Sequence, residues 1–194
     1  AGLVCLSLLC AENPVSERAK LTAALVATLL LPLKPPSSAR RPGEQVMSSY
    51  LLCSSPIHGH IVPMLAIARY LVGCGHQVSL LSGSRFHEAI AHTGASPLSL
   101  DGRADYDDRT YIDELPERHQ HKGIGKIRYD VENVFVLTLP DQYRALQRAL
   151  TTIQPDIVVG ETAFMGLLAL LRTSPLQRPP VATIGVLPLA QMSC

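Results

Sequence analysis

From Met47 onward, two kinds of run alternate along the chain: short, nearly continuous apolar runs, and longer stretches whose apolar positions recur at helical spacing. Tyr50-Leu51-Leu52-Cys53 reads as the centre of a buried strand over residues 49–54. Ile61, Leu65, Ala68 and Leu71 or Val72 share one face of a helix predicted over residues 61–72, with Pro63 in its first turn. Gly73-Cys74-Gly75 closes that helix, since glycine readily takes the left-handed conformation at a helix end. Residues 76–82 read as a second strand, 85–92 as a short helix closed by Gly94, and 95–100 as a third strand. Residues 101–122 are polar, hold five aspartates and show no apolar period, so they read as a long loop. A helical pattern resumes over 123–139, is broken by Pro140 and continues over 141–153 with Tyr143, Leu146 and Leu150 on one face. A fourth strand over 156–160, an apolar helix over 163–171 and a fifth strand over 181–186 complete the series. Strands and helices in alternation, with tight connections, predict an α/β fold: a Rossmann-like parallel sheet with flanking helices.

Residues 1–46 differ in kind. They hold a 13-residue apolar run over 21–33, shorter than the ~20 residues a transmembrane helix needs, followed by a proline-rich join. Arg18 and Lys20 before the run and Ser37-Ser38-Ala39 after it give a weak likeness to a signal peptide. Met47 stands directly before the first convincing strand. The segment is therefore expected to be an amino-terminal extension, disordered or misassigned, ahead of a domain over 47–194 that is itself incomplete.

Composition narrows the function. The 194 residues carry a net charge of +1 and only 5% aromatic residues, which argues against a nucleic-acid partner. Five cysteines without a C-x-x-C pair point to a reducing compartment, and a cytoplasmic location is expected, with no stable membrane insertion. Cys53, inside a strand, reads as a small hydrophobe. The aspartate run lacks the spacing of a calcium loop and reads as a solvated charge run. Neither glycine-rich phosphate fingerprint occurs, which weakens a dehydrogenase or an NTPase reading.

Two residues carry candidate chemistry. His60 sits where the first strand gives way to a helix, at the carboxyl edge of the sheet, where open α/β sheets bind ligands. A histidine there can take a proton from a substrate hydroxyl near neutral pH, or can be an ordinary loop histidine. His58 is the weaker candidate, because it precedes Gly59 and faces another way. Glu161 directly follows the fourth strand and lies at the same edge. If the first and fourth strands are close, its carboxylate can orient the His60 ring. Otherwise it is a carboxylate set against a helix dipole, with Thr162 an equally good cap. Asp156 follows Pro155, precedes the apolar run of the fourth strand and marks the opposite edge of the sheet.

The sequence Pro56-Ile57-His58-Gly59-His60-Ile61-Val62-Pro63-Met64-Leu65, followed by Gly75-His76-Gln77-Val78, resembles the amino-terminal domain of family 1 glycosyltransferases of the GT-B fold, in the macrolide- and sterol-type branch of the UDP-glycosyltransferase superfamily. Gln154-Pro155-Asp156-Ile157-Val158-Val159-Gly160-Glu161-Thr162 and the segment from Arg178 to Leu189 resemble later parts of that domain. The resemblance implies inverting transfer of a hexose from a UDP-sugar to a hydroxyl of a small lipophilic acceptor. The nucleotide sugar is then a co-substrate, and no cofactor is implied. His60 matches the family's general base. Glu161 stands where the family usually has an aspartate, one methylene shorter. Gly59, Phe86, Tyr106, Phe135 and Phe164 are expected around the acceptor, although each aromatic ring equally suits a core. The family's donor-binding carboxyl-terminal domain is absent from these residues, so the chain alone is expected to be inactive. The alternatives are a non-catalytic truncated product that binds an apolar small molecule, and another GT-B-like enzyme such as a sugar-nucleotide epimerase.

Overall fold

A computed structural model of the chain describes residues 47–186 and the backbone of Cys5–Leu8. Its strands are β1 (Cys5–Leu8), β2 (Ser49–Cys53), β3 (Gln77–Ser82), β4 (Ser96–Ser99), β5 (Ile157–Glu161) and β6 (Val181–Val186). All pair in parallel, in the order β1-β6-β5-β2-β3-β4. The five strands after residue 47 lie where the apolar runs predict them. Cys5–Leu8, for which no strand is predicted, pairs along β6 and satisfies ladder groups that an edge would otherwise leave unpaired. The apolar run over 21–33 lies outside the described residues.

Side chains of the central strands alternate between two cores. Tyr50, Leu52, Val78, Leu80, Ile157 and Val159 face helix α1 (His58–Gly73) and helix α2 (His87–Ala91). Leu51, Cys53, Leu81 and Val158 face the opposite layer. That layer holds helix α5 (Leu139–Ile153) and helix α6 (Gly166–Leu171). Both faces are apolar because both are covered, which is why the strands read as continuous apolar runs.

Helix α1 closes as the glycines predict. Gly75 takes φ +82, its N–H donates to the Val72 carbonyl, and the His76 N–H donates to the Leu71 carbonyl. This crossed pair is the Schellman end. The opening of α1 departs from expectation: it begins at His58, three residues early, so Pro63 lies in its second turn.

The stretch over 101–122 also differs from a plain loop. It holds helix α3 (Tyr111–Glu114) and two single 3₁₀ turns, Gly102–Ala104 and Arg118–Gln120. Beyond it, the helical run breaks just ahead of Pro140, at two turn residues, 137 and 138. Helix α4 (Ile124–Val131) runs through a π turn over Glu132–Val136 towards α5, and Pro140 falls at the start of α5, where its missing N–H has no intrahelical use. Ile124, Ile127, Val131 and Val136 along this run are exposed.

Candidate active site

Strand β2 is flanked by β3 on one side and β5 on the other, so the chain order reverses between β2 and β5. At such a switch point the connections leave the sheet in opposite directions and open a crevice at the carboxyl ends. His60 follows β2 and Glu161 ends β5, so the two residues stand on the two sides of this crevice.

The strand pleat explains how they meet. Ile157 and Val159 face α1, and Glu161, two positions further on, keeps that parity. His60 lies in the first turn of α1. Its Nδ1 is 2.9 Å from Glu161 Oε2. The Glu161 side chain is fully buried, while His60 remains 17% exposed. Glu161 Oε1 accepts the Ser55 N–H at 3.0 Å, and Oε2 also accepts the Ala163 N–H at 2.6 Å. Burial alone would raise the pKa of this carboxyl. The hydrogen bond and charge of His60, with the two backbone donors, outweigh it and hold the group below the ordinary carboxylate value.

An ionised Glu161 can only accept, so Nδ1 of His60 carries the proton of their bond. In the neutral tautomer that this selects, the lone pair lies on Nε2. The contact holds the imidazole in one tautomer against a buried carboxylate. The extra methylene of glutamate does not prevent the contact. Thr162 caps nothing here: α6 begins only at Gly166, and its first flanking residue is Met165.

Of the other candidates, Phe86, Tyr106 and Phe164 are buried, Phe135 is partly buried and Gly59 is exposed. Gly59 lies in the first turn of α1, and an added Cβ there would touch nothing within 4 Å. Phe86 belongs to the core under α1, with the Arg85 guanidinium 4.5 Å above its ring. Phe164 is 1% exposed in the opposite core. Both rings fill interior space and present no free face. Phe135 is half-buried in the π turn. Tyr106 stacks on Tyr111 at 4.3 Å, and its buried hydroxyl has no hydrogen-bond partner among the described residues. Burial, with the neighbouring Tyr111 and Glu161, pushes that phenol well up.

Asp156 lies at the opposite edge, as its position predicts. Its Oδ2 accepts the Ser49 N–H at 2.9 Å at the start of β2. The aspartate run is not merely solvated. Asp105 accepts both the N–H and the hydroxyl of Ser84, Asp107 pairs with Arg85 and Arg109, and Asp108 pairs with Arg85 and accepts the His58 N–H at 2.7 Å. Apart from the local Asp107–Arg109 pair, these contacts leave no sequence signal because each links the loop to a residue 21 to 50 positions earlier. Among the described residues, no group of three or more His, Cys, Asp or Glu is placed to hold a metal ion. No helix among them is long and apolar enough to cross a membrane.

No protein-family model matches the chain. Two curated relatives from Starmerella bombicola do. UDP-glucosyltransferase B1 is 32% identical over 142 residues, covering 70% of this chain and 33% of the relative. UDP-glucosyltransferase A1 is 33% identical over 145 residues, covering 72% of this chain and 31% of the relative. The chain thus spans about a third of the length of the curated relatives it matches. Among solved structures, the calicheamicin glycosyltransferase superposes with a TM-score of 0.53 at 21% identity, over 71% of this chain and 32% of that one. The kitacinnamycin glycotransferase gives 0.52 at 19% identity, over 72% and 30%. These two establish the fold, and the sequence relatives agree with it. The chain belongs to the UDP-glycosyltransferase family of the GT-B fold, as an amino-terminal domain of that architecture.

Proposed function

We propose that this domain supplies the acceptor side and the general base of an inverting glycosyltransferase that moves a hexose from a UDP-sugar to a hydroxyl of a small lipophilic compound. The observation that carries the reading is the 2.9 Å contact between His60 Nδ1 and the buried Glu161 carboxylate, which leaves Nε2 as the acceptor of a proton.

In the proposed step, Nε2 takes the proton of the acceptor hydroxyl. The hydroxyl oxygen attacks the anomeric carbon from the face opposite the nucleotide, the bond from that carbon to the UDP oxygen breaks, and UDP leaves with the electron pair. The configuration inverts. Glu161 holds the ring in place and stabilises the imidazolium that forms. In this reading Tyr106 and Phe135 are the aromatic residues that meet the acceptor, whereas Phe86 and Phe164 belong to the two cores. The nucleotide sugar is a co-substrate and no further cofactor takes part.

Transfer requires both reactants held together, and positioning supplies about 7–11 kcal/mol of such barriers. The sequence offers no glycine-rich phosphate cradle. We therefore expect the 194 residues alone to transfer sugar slowly or not at all, and a form that includes a donor-binding part to transfer it.

The test is transfer from UDP-glucose to a panel of hydroxylated lipophilic compounds, read by mass spectrometry, in a form carrying the donor-binding part and in its H60A variant. Product from the parent and an H60A rate lower by about 10²–10⁴-fold support the reading. An unchanged H60A rate removes His60 as the base. Acceptor binding with no turnover in any form points instead to a non-catalytic apolar binding protein.

A further inference from the structure

Helix α1 opens without a cap of its own. Ile57, the flanking residue, is extended (φ −113, ψ 127) and makes no side-chain capping bond, and the first turn contains no acidic residue. An uncapped helix start leaves N–H groups without intrahelical acceptors. Here an acceptor arrives from 50 positions further along the chain: Asp108 Oδ2 takes the His58 N–H at 2.7 Å. The Asp108 side chain is only 15% exposed, and its other oxygen is ion-paired with Arg85, itself 22% exposed. Arg85 also grips Asp107, while the neighbouring Ser84 is held by Asp105. The loop is thereby stapled to the turn after β3 and, through Asp108, to the turn that carries His60.

We propose that Asp108, braced by Arg85, is a positioning residue for the His60 base. It acts as a long-range N-cap. It satisfies the first N–H of α1 and puts a negative charge at the positive end of the helix. It also starts the helix at His58, so that His60 sits inside an ordered turn and not in the preceding loop. His60 is thus held twice, through its ring by Glu161 and through its backbone by Asp108. The inference rests on the reading of His60 as base, but the positioning itself can be measured without any sugar transfer.

The test uses the full 194-residue chain labelled with ¹⁵N. Two signals report on the first turn: the His60 Nδ1–H resonance, and hydrogen exchange at the His60 and Ile61 amides, both of which donate to the Ile57 carbonyl. In D108A the Nδ1–H resonance is expected to vanish by exchange with water. The two amides should exchange about tenfold faster, the factor a lost helix cap corresponds to. Central strand amides at Leu52 and Val159 should keep their rates. D108N retains an acceptor oxygen but loses the charge and the ion pair with Arg85, so it should keep the Nδ1–H resonance and speed the two amides by about threefold, less than D108A. R85M, which removes the brace, should speed the two amides by about threefold, and it decides the matter if D108A does not fold. The proposal is overturned if the folded variant leaves both signals unchanged. It is also overturned if the strand amides speed up equally, which marks a merely structural role, or if D108N is as disturbed as D108A. Retained transfer in H60A would remove the base and leave these results standing.

Discussion

Glu161 Oε2 stands 2.9 Å from His60 Nδ1 although 101 positions separate the two residues in the chain. The parallel pairing of β2 with β5 makes that contact, because Cys53 lies opposite Gly160 and the two strands end side by side. Replacing Glu161 with glutamine should separate orientation from basicity. E161Q removes the charge that selects the Nδ1–H tautomer, so transfer should fall by up to about 10⁴-fold, as when a triad's orienting acid becomes an amide. E161D, one methylene shorter, should retain more transfer than E161Q. Steady-state rates of the three forms, each carrying the donor-binding part, check this, and an E161Q enzyme as fast as the parent would show that the carboxylate orients nothing.

Glu161 also ties stability to acid. Its carboxyl in the folded chain lies below its ordinary value of 4.5. A lowered folded value means that its stabilising contribution is complete above the ordinary value and is lost as pH falls through the folded one. Melting temperature should therefore drop below about pH 4.5 more steeply in the parent than in E161Q, which has no charge to lose. Thermal scans between pH 7 and pH 3 would read the difference, and parallel curves would contradict it.

Gly160 has a steric reason to be glycine. A Cβ there would lie 2.0 Å from Leu167 Cδ1, in the core beneath α6. Overpacking of a core costs about 1–3 kcal/mol. G160A should lose that much in urea unfolding, and L167A introduced with it should cost less than the two changes summed, because it clears the clash. Strict additivity would show that the two side chains do not compete for the space.

Cys53 is fully buried, and burial, with the charge of Glu161, pushes its thiol far up. A thiolate is the reactive form. In a variant that keeps Cys53 as its only cysteine, a thiol-specific reagent should label the native chain at least about 100-fold more slowly than the urea-unfolded chain. Equal rates would place Cys53 at an accessible surface.

The Tyr106 hydroxyl is buried without a hydrogen-bond partner among the described residues. Removing an unsatisfied polar group costs nothing and can stabilise. Y106F should melt at the parent's temperature or above it. A loss of acceptor affinity in this variant would then belong to the hydroxyl itself, and a clear drop in melting temperature would show that the hydroxyl is partnered.

The sequence by itself determined the five strands after residue 47, the main helices between them and their order, but not β1, the short helix α3 or the early start of α1. Tyr50-Leu51-Leu52-Cys53 is apolar at every position, and a strand covered on both faces must be. The glycines after α1 mark a helix end whose left-handed backbone they alone adopt cheaply. The placement of His60 and Glu161 at the carboxyl edge follows from the same alternation. These signals are local, carried by residues within one turn or one strand of each other. Only the tertiary structure decided that β5 lies beside β2, which is what makes a dyad of two separate residues. It also decided that Phe86 and Phe164 fill the cores, and that an aspartate 50 positions downstream opens helix α1. These facts depend on which surfaces meet after the chain closes. Hydrophobic periodicity states which face of an element is buried, but not against which element, and a cap contributed from a distant loop leaves no mark in the residues around the helix it caps.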